Sequence, residues 1–222
     1  MILHFITGGG MTPDQATALG QAIASFDKAH IPDVTFQVNY YKFNDDAYSL
    51  IQAAQPTGPL LIGGHSFGGC EAVKTAVKFA VNSRTVDHLM LYDPVDDNGM
   101  AYSVPNTAGF ALTSNVTEAI CFYRNATEAP FSGKIASGPN FKNVLLPPAD
   151  GGSAAHHGDA VWSAESIQAI SAVLHGGYFL PRVTPAPAPA PTPTPTPVPA
   201  VNSAPTLLAT VKIYSDGTVV KV

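Results

Sequence analysis

One serine stands among glycines in the run LLIGGHSFGG, which covers residues 60–69. Ser66 lies two residues after Gly64 and two residues before Gly68, in the spacing G-x-S-x-G. An apolar run that predicts a buried strand precedes the serine, and a helical pattern follows it. Between a strand and a helix, this spacing is typical of a sharp turn that exposes the serine hydroxyl, because a β-carbon on either glycine would collide with the neighbouring elements. Ser66 is therefore predicted to be a nucleophile.

Backbone amides near a nucleophilic serine can stabilise the negative charge that develops on a carbonyl oxygen under attack. Phe67 follows Ser66 at the predicted N-terminus of the helix, where the helix dipole favours negative charge. The first apolar run, MILHFIT, ends in three glycines at positions 8–10. We predict Phe67 and Gly9 as the two amide donors, with Gly10 as the alternative to Gly9. A plain tight turn is the competing interpretation of the three glycines.

A serine hydroxyl is a poor nucleophile until a base removes its proton, so a histidine is expected later in the chain. His156 and His157 stand in the run AAHHGDAVWS, after the last predicted strand and before the last predicted helix. Only one of the two can serve as the base, and both remain candidates on position alone.

A carboxylate is needed to orient that histidine. Asp93 directly follows the predicted strand in VDHLMLYDPV, and Asp96 and Asp97 are close enough to take its role. Glu128, which follows the strand predicted in EAICFYR, is the rival acid. For Asp93 the competing interpretation is a helix or loop cap.

The elements that must position these residues alternate between strand-like runs and helical patterns. Thr12 and Pro13 are predicted to begin the first helix, and Asn44 or Asp45 to cap the second. Such alternation predicts an α/β fold with a mostly parallel sheet and helices on both of its faces. Because sites in these sheets lie at the carboxyl ends of the strands, the serine, Asp93 and the triple glycine are expected to converge there.

The region from Met1 to about Gly177 resembles an α/β-hydrolase of the small lipase and esterase type. The resemblance lies in four segments in chain order: FITGGGM, GGHSFGG, LYDPVDD and HHGDAVWS. It implies a minimal α/β-hydrolase fold without a large cap domain. It also implies a serine hydrolase that cleaves carboxylic esters through an acyl-enzyme, acting on a small-molecule or lipid-like ester, with neither a metal nor an organic cofactor.

The resemblance also selects among the candidate residues. The aspartate of LYDPVDD is similar to the acid of the lipase branch in which it lies one strand earlier than usual, which favours Asp93 over Glu128. In lidless minimal lipases the histidine stands a few residues before an aromatic-serine pair, which here is 162–163. That register favours His157 over His156. The implied triad is Ser66, Asp93 and His157.

Three regions are predicted from a break in composition: a hydrolase domain over 1–180, an extended linker rich in proline, alanine and threonine over 181–205, and a β-hairpin over 206–222. Proline alternating with small residues favours an extended polyproline II segment. Two β-rich runs surround the turn sequence SDGT at 215–218. Because a lone hairpin is marginally stable, we expect it to bind a protein partner or to self-associate as a docking or oligomerisation tag.

Composition excludes several classes of protein. The chain has 222 residues, of which 45% are hydrophobic and 12% charged, which indicates a folded protein rather than a disordered one. A net charge of -5 without a basic stripe argues against nucleic-acid binding. The N-terminal residues match neither a signal peptide nor a membrane span, so cytoplasmic synthesis is expected. Cys70 and Cys121 fit no metal-ligand spacing and are predicted to be buried thiols.

Two alternative functions remain from the sequence. A thioesterase or acyltransferase of the same fold would use the same residues, since these enzymes differ in the acceptor or leaving group rather than in the machinery. A non-catalytic binding or structural module of a phage or surface assembly is the second alternative, with the hairpin as its docking tag. The proline-rich tail is similar to tails of phage-encoded or virion-associated proteins.

Overall fold

The computed structural model describes residues 1–9, 12–43, 45–95, 109–124, 133–146 and 160–180, together with the backbone of 211–213 and 219–221. The chain forms two units, Met1–Arg182 and Val183–Val222. The elements of the first unit, in chain order, are β1 (Ile2–Ile6), α1 (Pro13–His30), β2 (Gln37–Tyr41), α2 (Ala47–Ala54), β3 (Leu61–His65), α3 (Phe67–Val81), β4 (Val86–Tyr92), β5 (Phe110–Ala111), β6 (Val116–Tyr123), β7 (Ile135–Ser137), β8 (Phe141–Leu145) and α4 (Ala164–Leu174).

Six of these strands form one sheet in the order β2-β1-β3-β4-β6-β8. Every neighbouring pair in this sheet is parallel. The carboxyl ends of the strands therefore lie at one edge, as the alternating sequence pattern predicts. The two short strands β5 and β7, which the sequence analysis did not predict, form a separate parallel pair.

Helices cover both faces of the sheet, which confirms the predicted α/β architecture. Because side chains alternate along a strand, each face of the sheet has its own apolar layer. One layer packs against α2 and α3 and includes Ile62, Leu91 and Phe79; the other packs against α1 and α4 and includes Phe5, Tyr92 and Ile170. All six of these side chains are buried.

The helix starts are set by short polar side chains. Thr12 caps α1 in a reciprocal arrangement with Gln15, and Pro13 is the first helical residue, as predicted. For α2 the predicted cap was wrong: Asp46, rather than Asp45, is the N-cap residue. The Asp45 carboxylate instead accepts a hydrogen bond of 2.7 Å from the Lys42 amide, so it serves the turn that precedes the helix.

The second unit contains two strands among the described residues, β9 (Val211–Ile213) and β10 (Val219–Lys221). They pair antiparallel, with Val219 opposite Ile213. The segments between them and before them, including the proline-rich stretch, lie outside the described residues. Within the described part of the chain, no helix has the length and apolar character needed to cross a bilayer.

Candidate active site

Ser66 occupies the sharp turn between β3 and α3. Its backbone angles are φ 58° and ψ −129°. Residues other than glycine rarely adopt a positive φ of this kind. Strain of this kind costs on the order of 1–3 kcal/mol and persists only where the surrounding structure enforces it. The side chain makes no capping hydrogen bond to α3, although serine is a favoured capping residue. The turn thus presents the hydroxyl at the carboxyl edge of the sheet.

Two glycines allow the turn to be this tight. A β-carbon on Gly64 would collide with the carbonyl group of Gly68, and one on Gly68 would collide with the carbonyl oxygens of Ile6 and Thr7. The backbone of α3 therefore approaches β1 and β3 more closely than any other residue type permits. The spacing G-x-S-x-G is explained by these two contacts.

The loop after β1 lies against the serine. A β-carbon on Gly8 would be 2.9 Å from Cβ of Ser66 and 3.4 Å from its Oγ. Gly9 follows and packs against Phe67, the first residue of α3. The structure thus brings Gly9 and Phe67, both predicted as amide donors, to the vicinity of Ser66. Gly10 lies outside the described residues.

Asp93 follows β4, the strand next to β3 in the sheet. It is fully buried and has a positive φ of 46°. Its amide donates to the carbonyl of Phe122 at 2.7 Å, and its Oδ1 accepts a hydrogen bond of 3.3 Å from the Arg124 amide. These bonds hold the carboxylate at the ends of β4 and β6.

The segment that contains Asp93 is bonded directly to the serine turn. The Ser66 amide donates to the carbonyl of Tyr92 at 3.0 Å, and the Ser66 carbonyl accepts from the Val95 amide at 3.0 Å. Pro94 packs against Gly69, where a β-carbon would lie 2.6 Å from Cβ of the proline. The backbones of the predicted nucleophile and the predicted acid are therefore fixed relative to each other.

The remaining predicted site residues have no described structure. His156, His157, Glu128 and the alternative acids Asp96 and Asp97 all lie outside the described residues. Their roles stay predictions.

Two histidines of the sheet are buried and hydrogen-bonded to neighbouring side chains. His4 is buried in β1, with its ring nitrogens 2.8 Å from the Tyr41 hydroxyl and 2.8 Å from Oε1 of Gln55. Its burial lowers its pKa. His88 is buried in β4 and is bonded to Glu118 at 2.8 Å.

The two cysteines are buried and unbridged, as the sequence predicts. Burial, and secondly the negative charge of Asp93, raises the pKa of the Cys121 thiol, so the thiol stays protonated at neutral pH. Among the described residues, no group of three or more histidine, cysteine or acidic side chains is arranged to hold a metal ion.

An aromatic pair beside the serine was missed by the sequence analysis. The rings of Phe43 and Phe67 lie 5.2 Å apart between centroids, at an interplanar angle of 32°. Gly9 packs against both rings. Phe67 is buried, whereas Phe43 is partly exposed. Phe43 lies in the loop after β2, and no motif in the sequence marks it.

Two cavities among the described residues lie away from the serine turn. One of about 290 Å³ is lined by residues of β6, β8 and α4, and one of about 260 Å³ lies between the start of α1 and the end of β2. Neither is lined by Ser66, Asp93 or Gly9. The carboxyl edge around the serine, rather than either cavity, is therefore the candidate active site.

One protein-family model matches part of the chain. The thioesterase-domain family model matches residues 39–116, a segment that runs from β2 to the first residue of β6 and includes Ser66 and Asp93. The parallel strand order and the strained serine between β3 and α3 agree with the fold that the sequence resemblance implies. The chain is thus similar to α/β-hydrolases, and the family model that it matches describes thioesterase domains.

Three thioesterase structures are among the solved structures that are similar to the chain. Human thioesterase 2 is 14% identical, with 78% of this chain and 94% of that chain covered and a TM-score of 0.46. The NocB thioesterase domain from the nocardicin cluster is 15% identical, with 79% and 94% covered and a TM-score of 0.45. The surfactin thioesterase domain SrfTE is 13% identical, with 79% and 90% covered and a TM-score of 0.44. No curated protein matches the chain significantly.

Proposed function

We propose that this protein cleaves acyl thioesters and carboxylic esters through an acyl-enzyme formed on Ser66. His157 serves as the base and Asp93 as its partner carboxylate. The amides of Gly9 and Phe67 stabilise the negative oxygen of the tetrahedral intermediate.

The reaction proceeds in two halves. Ser66 Oγ attacks the carbonyl carbon while His157 takes the hydroxyl proton, and the tetrahedral intermediate then expels the thiol or alcohol, which receives that proton. Water next attacks the acyl-enzyme, with His157 again removing a proton. Collapse of the second intermediate returns that proton to Ser66 and releases the carboxylic acid.

The conformation of Ser66 carries this proposal. Ser66 is held at a φ of 58° between a strand and a helix, and its side chain makes no capping bond to that helix. Strained backbone of this kind is concentrated at active sites. The burial of Asp93 and its bond to the Arg124 amide support the role of the acid, because a fixed carboxylate can hold a histidine in one tautomer.

Thioesters are the preferred substrate class in this proposal. The family match over residues 39–116 is to thioesterase domains, and the two classes of substrate use the same machinery. A thiol with a pKa of about 8.5 is also a much better leaving group than an alcohol, so its departure needs less help from the histidine. Oxygen esters are expected to be cleaved more slowly.

The test compares a hexanoyl thioester of N-acetylcysteamine with ethyl hexanoate, using the wild type and the variants Ser66→Ala and Asp93→Asn. We expect kcat/KM to fall by about 10³-fold or more in both variants. The control is Asp87→Asn. The Asp87 carboxylate accepts a hydrogen bond from the Leu60 amide at the opposite end of the strands, so this variant should retain activity. Hydrolysis of both substrates at wild-type rates by Ser66→Ala would overturn the proposal.

A further inference from the structure

The ring of Phe43 forms a partly exposed apolar surface close to the serine. Gly8 contacts Ser66, and the next residue, Gly9, packs against the rings of Phe43 and Phe67. The centroids of these two rings lie 5.2 Å apart. Phe67 is already buried, so only Phe43 has surface left to offer a substrate.

The loop that carries Phe43 is fixed on both sides. Before it, the carbonyl of Tyr41 accepts the amide of Thr7 at 2.9 Å, which ties the end of β2 to the end of β1. Around it, the Lys42 amide donates to the Asp45 carboxylate at 2.7 Å, and the Asp45 amide donates back to the Lys42 carbonyl at 2.9 Å. A ring held by a closed turn can discriminate between substrates, because the ring does not need to be ordered when they bind.

The sheet order decides which part of a substrate meets this ring. Phe43 follows β2, Gly9 follows β1, Ser66 follows β3 and Asp93 follows β4, and the four strands are neighbours in that order. A histidine that contacts both Asp93 and the serine must lie on the β4 side of Ser66, and the leaving group must face that histidine to receive its proton. The acyl group, on the other side of the carbonyl carbon, is then directed toward β1 and β2.

We propose that Phe43 is a specificity-determining residue that contacts the acyl group and selects apolar acyl chains of about four carbons or more over acetyl. The inference rests on the proposed function, because it takes Ser66 as the attacking group. An uncharged aromatic face gains from burying apolar chain and offers no partner to a charged or strongly hydrated acyl group.

The test measures kcat/KM for acetyl, butyryl and hexanoyl thioesters of N-acetylcysteamine with the full-length wild type, Phe43→Ala and Phe43→Leu. We expect Phe43→Ala to lower the hexanoyl-to-acetyl ratio by about tenfold and Phe43→Leu to lower it by about threefold. Phe43→Leu keeps apolar volume in the loop and is the variant to rely on if Phe43→Ala does not fold.

A matched control is Phe26→Ala, which removes a half-buried ring that packs against His30 and Trp162 instead. It should leave the acyl-length preference unchanged. An unchanged hexanoyl-to-acetyl ratio in both Phe43 variants overturns the inference, while the proposed function survives if Ser66→Ala is inactive. Full activity in Ser66→Ala removes the proposed function itself, so the two failures are distinguishable.

Discussion

At the scale of single residues, the serine turn depends on neighbouring glycines, which have no side chain. Gly64 and Gly68 leave out side chains that would collide with backbone, and Gly8 leaves out a side chain that would press on Ser66. The first two glycines are needed to form the turn. Gly8 is needed only to leave the serine undisturbed, so its loss should affect catalysis more than folding.

Gly8→Ala is expected to lower kcat/KM by about 100-fold while leaving the unfolding temperature nearly unchanged. The added methyl group would lie 2.9 Å from Cβ of Ser66, which must shift, and displacement of a reacting group by a fraction of an ångström to 1 Å is costly. The comparison is Gly176→Ala, at a φ of +77°, where an added β-carbon would have no atom of the described residues within 4 Å. This variant should lose stability but keep activity. Equal kcat/KM in Gly8→Ala and the wild type would contradict the steric explanation.

Asp27 gives a second prediction at the residue scale. It is fully buried on α1, and neither oxygen of its carboxylate has a hydrogen-bond partner among the described residues. Burial, opposed by the charge of nearby His30, raises the pKa of this group to about 7 from an ordinary 3.8. The folded state therefore binds the proton more tightly than the unfolded state, and its stability falls as the pH rises from about 4 to about 7.

Urea unfolding of the wild type and Asp27→Asn from pH 4 to pH 8 measures the effect. The stability of the wild type relative to the variant should fall by about 4 kcal/mol between pH 4 and pH 8, because each unit of pKa shift corresponds to about 1.4 kcal/mol. A difference between the two proteins that stays constant over the whole range would show that Asp27 does not titrate in the folded state.

At the scale of elements, periodicity and glycine placement predicted the mostly parallel sheet, the helices on both faces and the serine turn. These predictions succeeded because apolar periodicity is visible in the sequence and because close approach of two backbones requires glycine. The cap of α2 was mispredicted because the neighbouring aspartates 45 and 46 both suit a cap, and only the turn at Lys42 decides between them. The β5–β7 pair and the position of Phe43 were missed because they depend on contacts between loops distant in the chain.

Glu118 on β6 joins three elements of the fold. Its carboxylate is fully buried, accepts a hydrogen bond of 2.8 Å from Nδ1 of His88 on β4, and accepts the amides of Phe179 and Leu180 at 3.0 and 3.2 Å. It thus fixes the segment that follows α4 to the strands.

Glu118→Ala should lower the free energy of unfolding by about 3 kcal/mol, because two amides and a buried imidazole lose their shared acceptor. Amide hydrogen exchange at Phe179 and Leu180 should accelerate in the same variant. The control is Asp33→Asn, which breaks the exposed pair with His175 and should leave the unfolding midpoint unchanged. Unchanged exchange at the two amides in Glu118→Ala would contradict the anchoring role.

At the scale of the whole molecule, the division after Arg182 separates the candidate active site from the tail. Ser66, Asp93 and both apolar layers belong to the first unit. A chain that ends at Arg182 should therefore keep kcat/KM within about twofold of the full-length value and unfold at a similar temperature. Loss of activity on truncation would show that the tail contributes to the site.

The tail itself remains a prediction from the sequence. Its two described strands pair antiparallel, as the turn sequence between them favours. Size-exclusion chromatography with light scattering of the full-length and truncated chains would test the predicted self-association. A larger oligomer for the full-length chain than for the truncated chain would support self-association. The same number of chains per particle in both would leave a different protein as the expected partner.

The central claim, that Ser66 is the nucleophile, is tested most directly by intact-mass spectrometry after treatment with a p-nitrophenyl alkylphosphonate. We expect the wild type to gain one phosphonyl group, found on the peptide that contains Ser66, to lose hydrolase activity in proportion to labelling, and Ser66→Ala to gain none. An unlabelled wild type, or a label on another residue that abolishes activity, would contradict the account.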